Sequence, residues 1–206
     1  MRSEEKMRRP QIPELSVYTG PMFSGKTESV EIELKKAWIA GIRSIVFRSL
    51  VDTRIERQVD VSLCETVRIS KALDVFDPLH EDHQLVVFDE IHFFEDDPDI
   101  VDVIMRIVRS GRRVLIAGLD LDYKERPFMV TAKLMALAQH VYKLVAICEV
   151  CKTIDSASRS QRTSNSTDRF DVGSADKYEP RCLECYVPPN GAAHSENDSS
   201  QDPLPS

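Results

Sequence analysis

The sequence predicts an α/β domain, with a parallel sheet flanked by helices, followed by a small cysteine-rich unit. Two observations support this prediction. Over residues 14–147, short apolar runs typical of buried strands alternate with longer amphipathic stretches typical of helices. Residues 148–186 break this alternation and contain two Cys-x-x-Cys pairs. The pattern therefore divides the chain into a larger α/β domain, residues 14–147, and a smaller appended unit, residues 148–186.

Several short apolar runs are predicted to form the strands of this sheet. They cover residues 15–19, 44–48, 66–69, 85–88, 114–117 and 141–147. The run 85–88, Leu-Val-Val-Phe, has no polar residue and is typical of a strand in the centre of a sheet. Since such a strand must be covered on both faces, the pattern indicates helices on both sides of the sheet.

Three amphipathic stretches are predicted to form those helices. The first opens after Gly25 and ends at Gly41, and the third covers residues 129–140. The second, residues 99–110, has the clearest pattern, and Gly111 follows it where a left-handed residue commonly ends a helix. Its apolar face comprises Ile100, Val103, Ile104, Ile107 and Val108.

The composition limits the classes of function. The formal net charge of −7 argues against binding to nucleic-acid polymers, which requires a basic surface. No apolar run approaches the roughly 18–20 residues that cross a bilayer. Because no apolar segment follows the basic residues near the N-terminus, we expect no secretory signal, no membrane association and a cytoplasmic location. Residues 1–13 are expected to form a loose arm, and the polar residues 187–206 a disordered tail.

Residues 20–27 match the pattern G-x-x-x-x-G-K-[ST], between a predicted strand and a predicted helix. Such a turn directs successive backbone N–H groups, and the positive end of the helix dipole, at a phosphate group. The lysine can reach the β- and γ-phosphates, and the hydroxyl group of Thr27 can bind Mg²⁺. The pattern predicts a P-loop NTPase-like fold, with a nucleotide bound by Gly20, Pro21, Met22, Phe23, Ser24, Gly25, Lys26 and Thr27.

Two adjacent carboxylates follow the buried run 85–88. P-loop proteins place a carboxylate beside the magnesium ion at the end of a buried strand, so Asp89 and Thr27 are the predicted magnesium ligands. Glu90 is then available to accept a proton from an attacking hydroxyl group. From the spacing alone, Glu90 could equally be a solvated turn residue without a role in catalysis.

The paired cysteines predict a structural zinc site. Four thiolates suit tetrahedral Zn²⁺, and the metal would close the base of a long loop, residues 152–181. A redox-active Cys-x-x-Cys is the alternative, but the presence of two pairs favours metal. The predicted ligands are Cys148, Cys151, Cys182 and Cys185, whereas Cys64 is interpreted as a small core residue.

Together, these motifs resemble those of the zinc-containing thymidine kinases. The loop GPMFSGKT is nearly identical to that family's phosphate loop, and the similarity runs from about residue 15 to residue 186. The other segments that carry the resemblance are Asp52-Thr53-Arg54, residues 89–94 (DEIHFF, similar to D-E-x-Q-F-F), residues 119–128, the Ser-Gln-Arg segment at 160–162, and residues 173–186. The order of these motifs, with the cysteine pairs, is far more specific than any one of them.

The resemblance implies a kinase that transfers a phosphoryl group from ATP, with Mg²⁺, to the 5′-hydroxyl group of thymidine. Glu90 would be the general base for that hydroxyl group. The residues implied to contact ATP, besides the phosphate loop, are Asp52, Thr53, Arg54, Asp89, Glu90, Ile91 and His92.

For the nucleoside, the resemblance implies that Tyr123 packs against the base and that the loop 152–181 closes over it as a lasso. The lasso residues implied to contact the nucleoside are Arg169, Phe170, Asp171, Val172, Gly173 and Tyr178. Membership of the family also implies a homotetramer that thymidine triphosphate inhibits by feedback.

The sequence departs from the family pattern near these sites. His92 stands where the family has glutamine, Ile91 replaces a small residue, and Ser174 replaces the second glycine of a Gly-Gly pair. Two other functions compete with the kinase: a P-loop ATPase or GTPase that uses water, and a zinc-ribbon module that binds nucleic acid. Glu90 and an aromatic base pocket favour the kinase over the first, and the acidic net charge counts against the second.

Overall fold

The computed structural model describes residues 12–52, 63–164, 169 and 177–189. Its strands are β1 (Glu14–Thr19), β2 (Arg43–Ser49), β3 (Glu65–Ile69), β4 (His83–Phe88), β5 (Arg113–Gly118), β6 (His140–Lys143), β7 (Arg159–Arg162) and β8 (Tyr178–Arg181). Its α-helices are α1 (Lys26–Ile39), α2 (Ile100–Arg109) and α3 (Met129–Leu137), and short 3₁₀ helices cover Ala72–Phe76 and Ile91–Phe94. The predicted arm and tail lie largely outside the described residues.

The larger sheet is parallel throughout, with its described strands in the order β3-β2-β4-β5-β1-β6. The sequence prediction of an α/β domain with a parallel sheet is therefore confirmed. Strand β4 lies inside the sheet between β2 and β5, as the wholly apolar run 85–88 predicted. Strands β7 and β8 form a separate antiparallel pair in the appended unit.

The two faces of the large sheet are covered by different helices. Consecutive residues of a strand point to opposite faces, so Val86 and Val87 of β4 belong to different core clusters. One face packs against α1 through Val30, Leu34 and Ala37. The other face packs against α2 and α3, and it carries most of the buried apolar side chains. The core is thus two apolar layers separated by the sheet.

Helix α2 shows why the sequence pattern was sufficient in this part of the chain. All five residues of its predicted apolar face are buried. Gly111 adopts a left-handed φ of 96°, and its N–H group donates to the carbonyl of Val108 at 3.0 Å. The helix therefore ends where a residue without Cβ can turn the chain at little cost.

Two predicted boundaries were wrong. Helix α3 ends at Leu137 rather than residue 140, because Ala138 has an extended ψ of 146°. Strand β6 ends at Lys143 rather than residue 147, because the chain then leaves the sheet. The N–H group of Ala146 instead donates to the carbonyl of Ala157, at 2.9 Å, in the appended unit. Tertiary pairing overrides the local apolar pattern at both boundaries.

The parallel sheet places the carboxyl ends of β1, β4 and β5 at a common edge. In open α/β sheets, ligands bind outside this edge. The segments after these strands are the predicted phosphate loop, the pair Asp89-Glu90 and the loop that carries Tyr123. No helix among the described residues is long and apolar enough to cross a membrane.

Replacing Ile104 with alanine is expected to lower the free energy of unfolding by about 2–5 kcal/mol, because the side chain is fully buried between α2 and the sheet. The matched control is Ile39→Ala in α1, where the side chain is 77% exposed and the expected loss is below about 0.5 kcal/mol. Urea unfolding measures both. Equal losses in the two variants would contradict the described core.

Candidate functional site

The phosphate loop lies between the end of β1 and the start of α1. Gly20 has a φ of 139°, and a Cβ at this position would lie 2.2 Å from the carbonyl oxygen of Leu144. Glycine is required here, because a side chain would collide with the backbone that follows β6. Gly25 is left-handed, with a φ of 83°, where the loop enters α1. The two glycines of the motif therefore have different tasks, a close backbone approach and a turn into the helix.

Lys26 is buried at the N-terminus of α1 and lies across the loop. Its Nζ donates to the carbonyl oxygens of Pro21 at 2.6 Å and Gly20 at 3.1 Å. This arrangement holds a positive charge beside the positive end of the helix dipole. The loop thus combines the fixed charge and the backbone turn that phosphate binding requires.

The appended unit contacts the same loop. The backbone N–H group of Met22 donates to the Oγ of Ser160, which is buried in β7, at 3.0 Å. No contact was predicted for the Ser-Gln-Arg segment from the family resemblance. The structure joins it to the phosphate loop, across an interval of 138 residues in sequence.

Asp89 is fixed directly after β4. One carboxylate oxygen accepts the N–H group of Glu90 at 3.1 Å, and the other forms a buried ion pair with Arg48 at the end of β2. Arg48 was not predicted as a site residue, although a basic residue that ends an apolar strand was a possible signal. A buried carboxylate needs such a partner to stay ionised at low cost. The Asp89 carboxylate is therefore held by a buried basic partner at the edge where the phosphate loop lies.

Glu90 has a left-handed backbone, with a φ of 54° and a ψ of 47°. A non-glycine residue in this region is uncommon, and such strain is concentrated at functional sites. The turn sends the chain from β4 into the 3₁₀ helix Ile91–Phe94. Its side chain is 18% exposed, whereas that of Asp89 is only 3% exposed. The two adjacent carboxylates therefore occupy different environments, as distinct chemical roles require.

His92 is enclosed beside Glu90. Its Nδ1 accepts the N–H group of Leu119 at 3.3 Å and lies 3.5 Å from a carboxylate oxygen of Glu90. The imidazole ring also packs against Phe93 and Phe128, with ring centroids 4.5 and 5.1 Å away. His92 consequently joins the segment after β4 to the segment after β5.

The loop after β5 carries Tyr123, which is buried beneath an arginine. The guanidinium carbon of Arg162 lies 3.7 Å from the ring centroid of Tyr123, which is a cation–π contact. Arg162 also donates to the phenol oxygen of Tyr178. The structure thus brings both predicted nucleoside tyrosines to one arginine. Arg162 is the last residue of the Ser-Gln-Arg segment, and this contact was not predicted from the sequence.

Other contacts hold that loop in place. The phenol group of Tyr186 donates to the carbonyl oxygen of Tyr123 at 2.5 Å. Burial raises the pKa of Tyr186 to about 12, with a further contribution from Glu125, so the phenol stays protonated and able to donate. Asp122 accepts the N–H groups of Lys124 and Arg126. The residues around Tyr123 are therefore fixed from both sides.

The remaining predicted contacts are only partly covered by the structure. Asp52 is buried and its carbonyl oxygen accepts a hydrogen bond from Arg68 at 2.7 Å. Arg169 is described, and its guanidinium group faces carboxylates and a carbonyl oxygen of the protein. The other predicted contacts lie outside the described residues: Thr53, Arg54, Phe170, Asp171, Val172 and Gly173, together with the departure Ser174.

The four paired cysteines meet in space. The four Sγ atoms all lie within 4.8 Å of one another, and those of Cys151 and Cys182 are 3.8 Å apart. Tetrahedral zinc with bonds of about 2.3 Å would separate sulfurs by about 3.8 Å. The donor set and its spacing therefore fit a structural zinc ion, which would be held by the four cysteines and supply no open position for chemistry.

The surroundings of the cysteines shift their pKa values in different directions. Burial opposes ionisation of Cys148, but N–H groups of Cys182, Cys151 and Val150 outweigh it and lower the pKa of Cys148 to about 6. The hydrogen bond with Cys182 and the loss of solvent raise the pKa of Cys185 to about 12. Because metal ligands must be deprotonated, zinc binding to these four cysteines would release protons and depend on pH.

Replacing Cys185 with serine is expected to abolish the binding of one zinc ion per chain and to lower the melting temperature. Structural zinc sites contribute roughly 10–16 kcal/mol of apparent binding free energy at neutral pH, which is coupled to folding. Elemental analysis and thermal unfolding measure the two effects. The control is Cys64→Ser, which leaves the cluster intact. Zinc retained by Cys185→Ser at one ion per chain would contradict the assignment.

Comparison with known proteins gives a family match over most of the chain. The family model described as thymidine kinase matches residues 13–186. Among solved structures, the flagellar accessory protein FlaH from Methanocaldococcus jannaschii is similar, with 13% sequence identity and a TM-score of 0.42. That similarity covers 64% of this chain and 70% of FlaH, and it carries no inference about function. On the family match, which spans both the α/β domain and the appended unit, the chain belongs to the thymidine kinase family.

Proposed function

We propose that this protein transfers the γ-phosphoryl group of ATP to the 5′-hydroxyl group of thymidine and so produces thymidine monophosphate for DNA synthesis. The observation that supports this most directly is the common edge of the sheet. There, the phosphate loop, the Asp89 carboxylate beside Arg48 and the separately placed carboxylate of Glu90 lie at the ends of neighbouring or nearby strands. A phosphate site and a base close to it suit phosphoryl transfer to a hydroxyl group.

The phosphate loop would bind the ATP phosphates through its backbone N–H groups and Lys26. The Nζ of Lys26 lies across the loop, where it donates to the carbonyl oxygens of Gly20 and Pro21, and it would donate to a phosphate oxygen bound there. Thr27 and Asp89 would hold Mg²⁺, which supplies neutralisation of phosphate charge when it is bound. Asp52, Thr53, Arg54, Ile91 and His92 remain the further predicted ATP contacts.

Glu90 would act as the general base. Its carboxylate would accept the proton from the 5′-hydroxyl group as the oxygen attacks the γ-phosphorus atom. The bond between that phosphorus and the bridging oxygen to the β-phosphate would break, and ADP would leave. The exposed fractions support this division of roles, since the side chain of Asp89 is 3% exposed and ion-paired with Arg48, whereas that of Glu90 is 18% exposed.

The nucleoside would lie against the aromatic side chains that Arg162 organises. Tyr123 would form the wall against the base, Tyr178 would brace the far side, and the lasso segment 169–173 would contact the Watson–Crick edge. The homotetramer, feedback inhibition by thymidine triphosphate and a cytoplasmic location belong to the proposal as expectations from the family resemblance.

Replacing Glu90 with glutamine is expected to leave folding unchanged and to lower kcat by about 10²–10⁴-fold, because a positioned base is lost. Steady-state assays with thymidine, ATP and Mg²⁺ measure the loss. The control is Glu81→Gln, at an exposed position before β4 and at the opposite edge of the sheet. Retention of more than about a tenth of the wild-type kcat would remove Glu90 from the role of base.

The nucleoside panel tests the proposed function itself. Thymidine and deoxyuridine are expected to be good substrates, and deoxycytidine a poor one. Backbone N–H and C=O groups that pair with thymine would leave polar groups unpaired opposite cytosine, which can lower kcat/KM by several powers of ten. The thymine methyl group contributes only about 1–3 kcal/mol, so its absence is tolerated.

The measurement is the release of ADP with each nucleoside, relative to ATP and Mg²⁺ alone. Hydrolysis of ATP that no nucleoside stimulates would indicate a P-loop ATPase instead of a kinase. Equal kcat/KM values for deoxycytidine and thymidine would show that main-chain recognition of the base is wrong for this chain.

A further inference from the structure

Glu95 is a buried carboxylate at the end of the segment that carries Glu90. It follows the 3₁₀ helix Ile91–Phe94, and its backbone N–H group donates to the carbonyl oxygen of His92 at 3.2 Å. The side chain of Glu95 is only 8% exposed. Burying a carboxylate is costly unless its oxygens accept hydrogen bonds, so the partners of this side chain indicate its task.

Those partners are the first N–H groups of helix α3. Oε1 of Glu95 accepts the N–H group of Met129, and Oε2 accepts that of Val130, both at 2.9 Å. Such N–H groups have no acceptor inside their own helix, and Phe128 at the N-cap position supplies none. Nη1 of Arg169 also lies 3.4 Å from Oε1. A side chain of one segment therefore caps a helix that begins more than 30 residues later, at a sequence separation of 34.

Helix α3 begins where the loop that carries Tyr123 ends. This loop, residues 119–128, is closed at its base, because the hydroxyl group of Thr131 in α3 donates to the carbonyl oxygen of Leu119 at 2.9 Å. The same base is bound by His92, whose Nδ1 accepts the N–H group of Leu119 at 3.3 Å. The position of α3 consequently sets the position of the loop.

We propose that Glu95 is a positioning residue that holds the general base Glu90 and the nucleoside wall Tyr123 at a fixed separation. The segment 90–95 has the base at one end and the cap of α3 at the other, so the cap fixes the loop 119–128 relative to the base. This inference rests on the proposed function and deepens it. Glu95 acts through the two segments that it joins and not by touching the reacting atoms.

The junction requires a side chain with two acceptor oxygens. Glutamine has the same shape as glutamate but only one acceptor, since its second terminal atom is an NH₂ donor. The amide oxygen can remain at the Oε1 position, where it faces both Met129 and Arg169. The amide nitrogen would then face the N–H group of Val130, and two donors in contact leave that N–H group unpaired. Replacing Glu95 with glutamine therefore weakens the cap selectively.

The experiment compares Glu95→Gln with a matched control two residues further along the chain, Asp97→Asn. Asp97 also accepts two backbone N–H groups, from Ala72 at 2.7 Å and from Asp99 at 3.0 Å. It thus binds the 3₁₀ helix Ala72–Phe76 instead of α3. Both changes replace a carboxylate with an amide of the same shape. Steady-state kinetics give kcat/KM for thymidine and KM for ATP, and thermal unfolding gives the melting temperature.

For Glu95→Gln, we expect kcat/KM for thymidine to fall about 5- to 50-fold, because the base and the nucleoside are no longer held in their reacting geometry. KM for ATP should stay close to the wild-type value, since the phosphate loop is held by other contacts, those of Lys26 and Ser160. Asp97→Asn should leave both kinetic constants close to wild type. The melting temperature should fall by a few degrees in both variants, because each loses a hydrogen bond to a backbone N–H group.

Three outcomes would overturn the inference. The first is an unchanged kcat/KM for thymidine in Glu95→Gln. The second is an equal fall in Asp97→Asn, because the loss of either carboxylate would then have the same effect. The third is a parallel rise in the KM for ATP in Glu95→Gln, which would indicate general damage to the fold.

Failure of the inference is distinct from failure of the proposed function. If the wild-type protein does not phosphorylate thymidine with ATP and Mg²⁺, the proposed function is wrong, and so is the role of Glu95 in positioning a nucleoside. If the wild-type protein phosphorylates thymidine and Glu95→Gln does so equally well, the function stands and the positioning role is wrong.

Discussion

The close approach of Leu144 to Gly20 is the contact on which the arrangement of the site depends. The N–H group of Leu144 donates to the carbonyl of Thr19 at 2.7 Å, which extends the pairing of β6 with β1 past the end of the sheet. The absence of a side chain at Gly20 allows this approach. The chain is thereby led away from the sheet beside the phosphate loop, and the appended unit returns to it through Ser160 and Met22.

Several carboxylates at this edge lie beside basic side chains, and they differ in how exposed they are. Asp89 is paired with Arg48, Asp122 with arginines, and Asp120 lies 3.2 Å from Lys143. The side chains of these three carboxylates are themselves largely buried, between 1% and 9% exposed. Glu90 differs because its strained turn holds it in a more exposed place, beside His92. The fold therefore gives the adjacent carboxylates Asp89 and Glu90 the unlike surroundings that their proposed roles, at a metal and at a proton, require.

The cysteine cluster acts at a distance from this edge. A zinc ion held by Cys148, Cys151, Cys182 and Cys185 would join the two ends of the lasso, and β7 and β8 pair directly beyond it. Closing a long loop at its base reduces the entropy lost when its remaining residues become ordered. Ser160 and Arg162 of β7 contact the phosphate loop and Tyr123, so a metal at the base of the lasso would support both of these contacts.

The sequence by itself determined the α/β class, the presence of the six strands of the larger sheet, the face of α2, the phosphate loop and the four-cysteine cluster, because each rests on local periodicity or on fixed spacing. Tertiary structure decided the early ends of α3 and β6, the left-handed turn at Glu90 and the contacts of Arg169. It also paired Arg48 with Asp89, 41 residues apart, and Met22 with Ser160, 138 residues apart. Such contacts depend on which strand ends meet at one edge of the sheet, and a local pattern of residues does not determine the order of the strands.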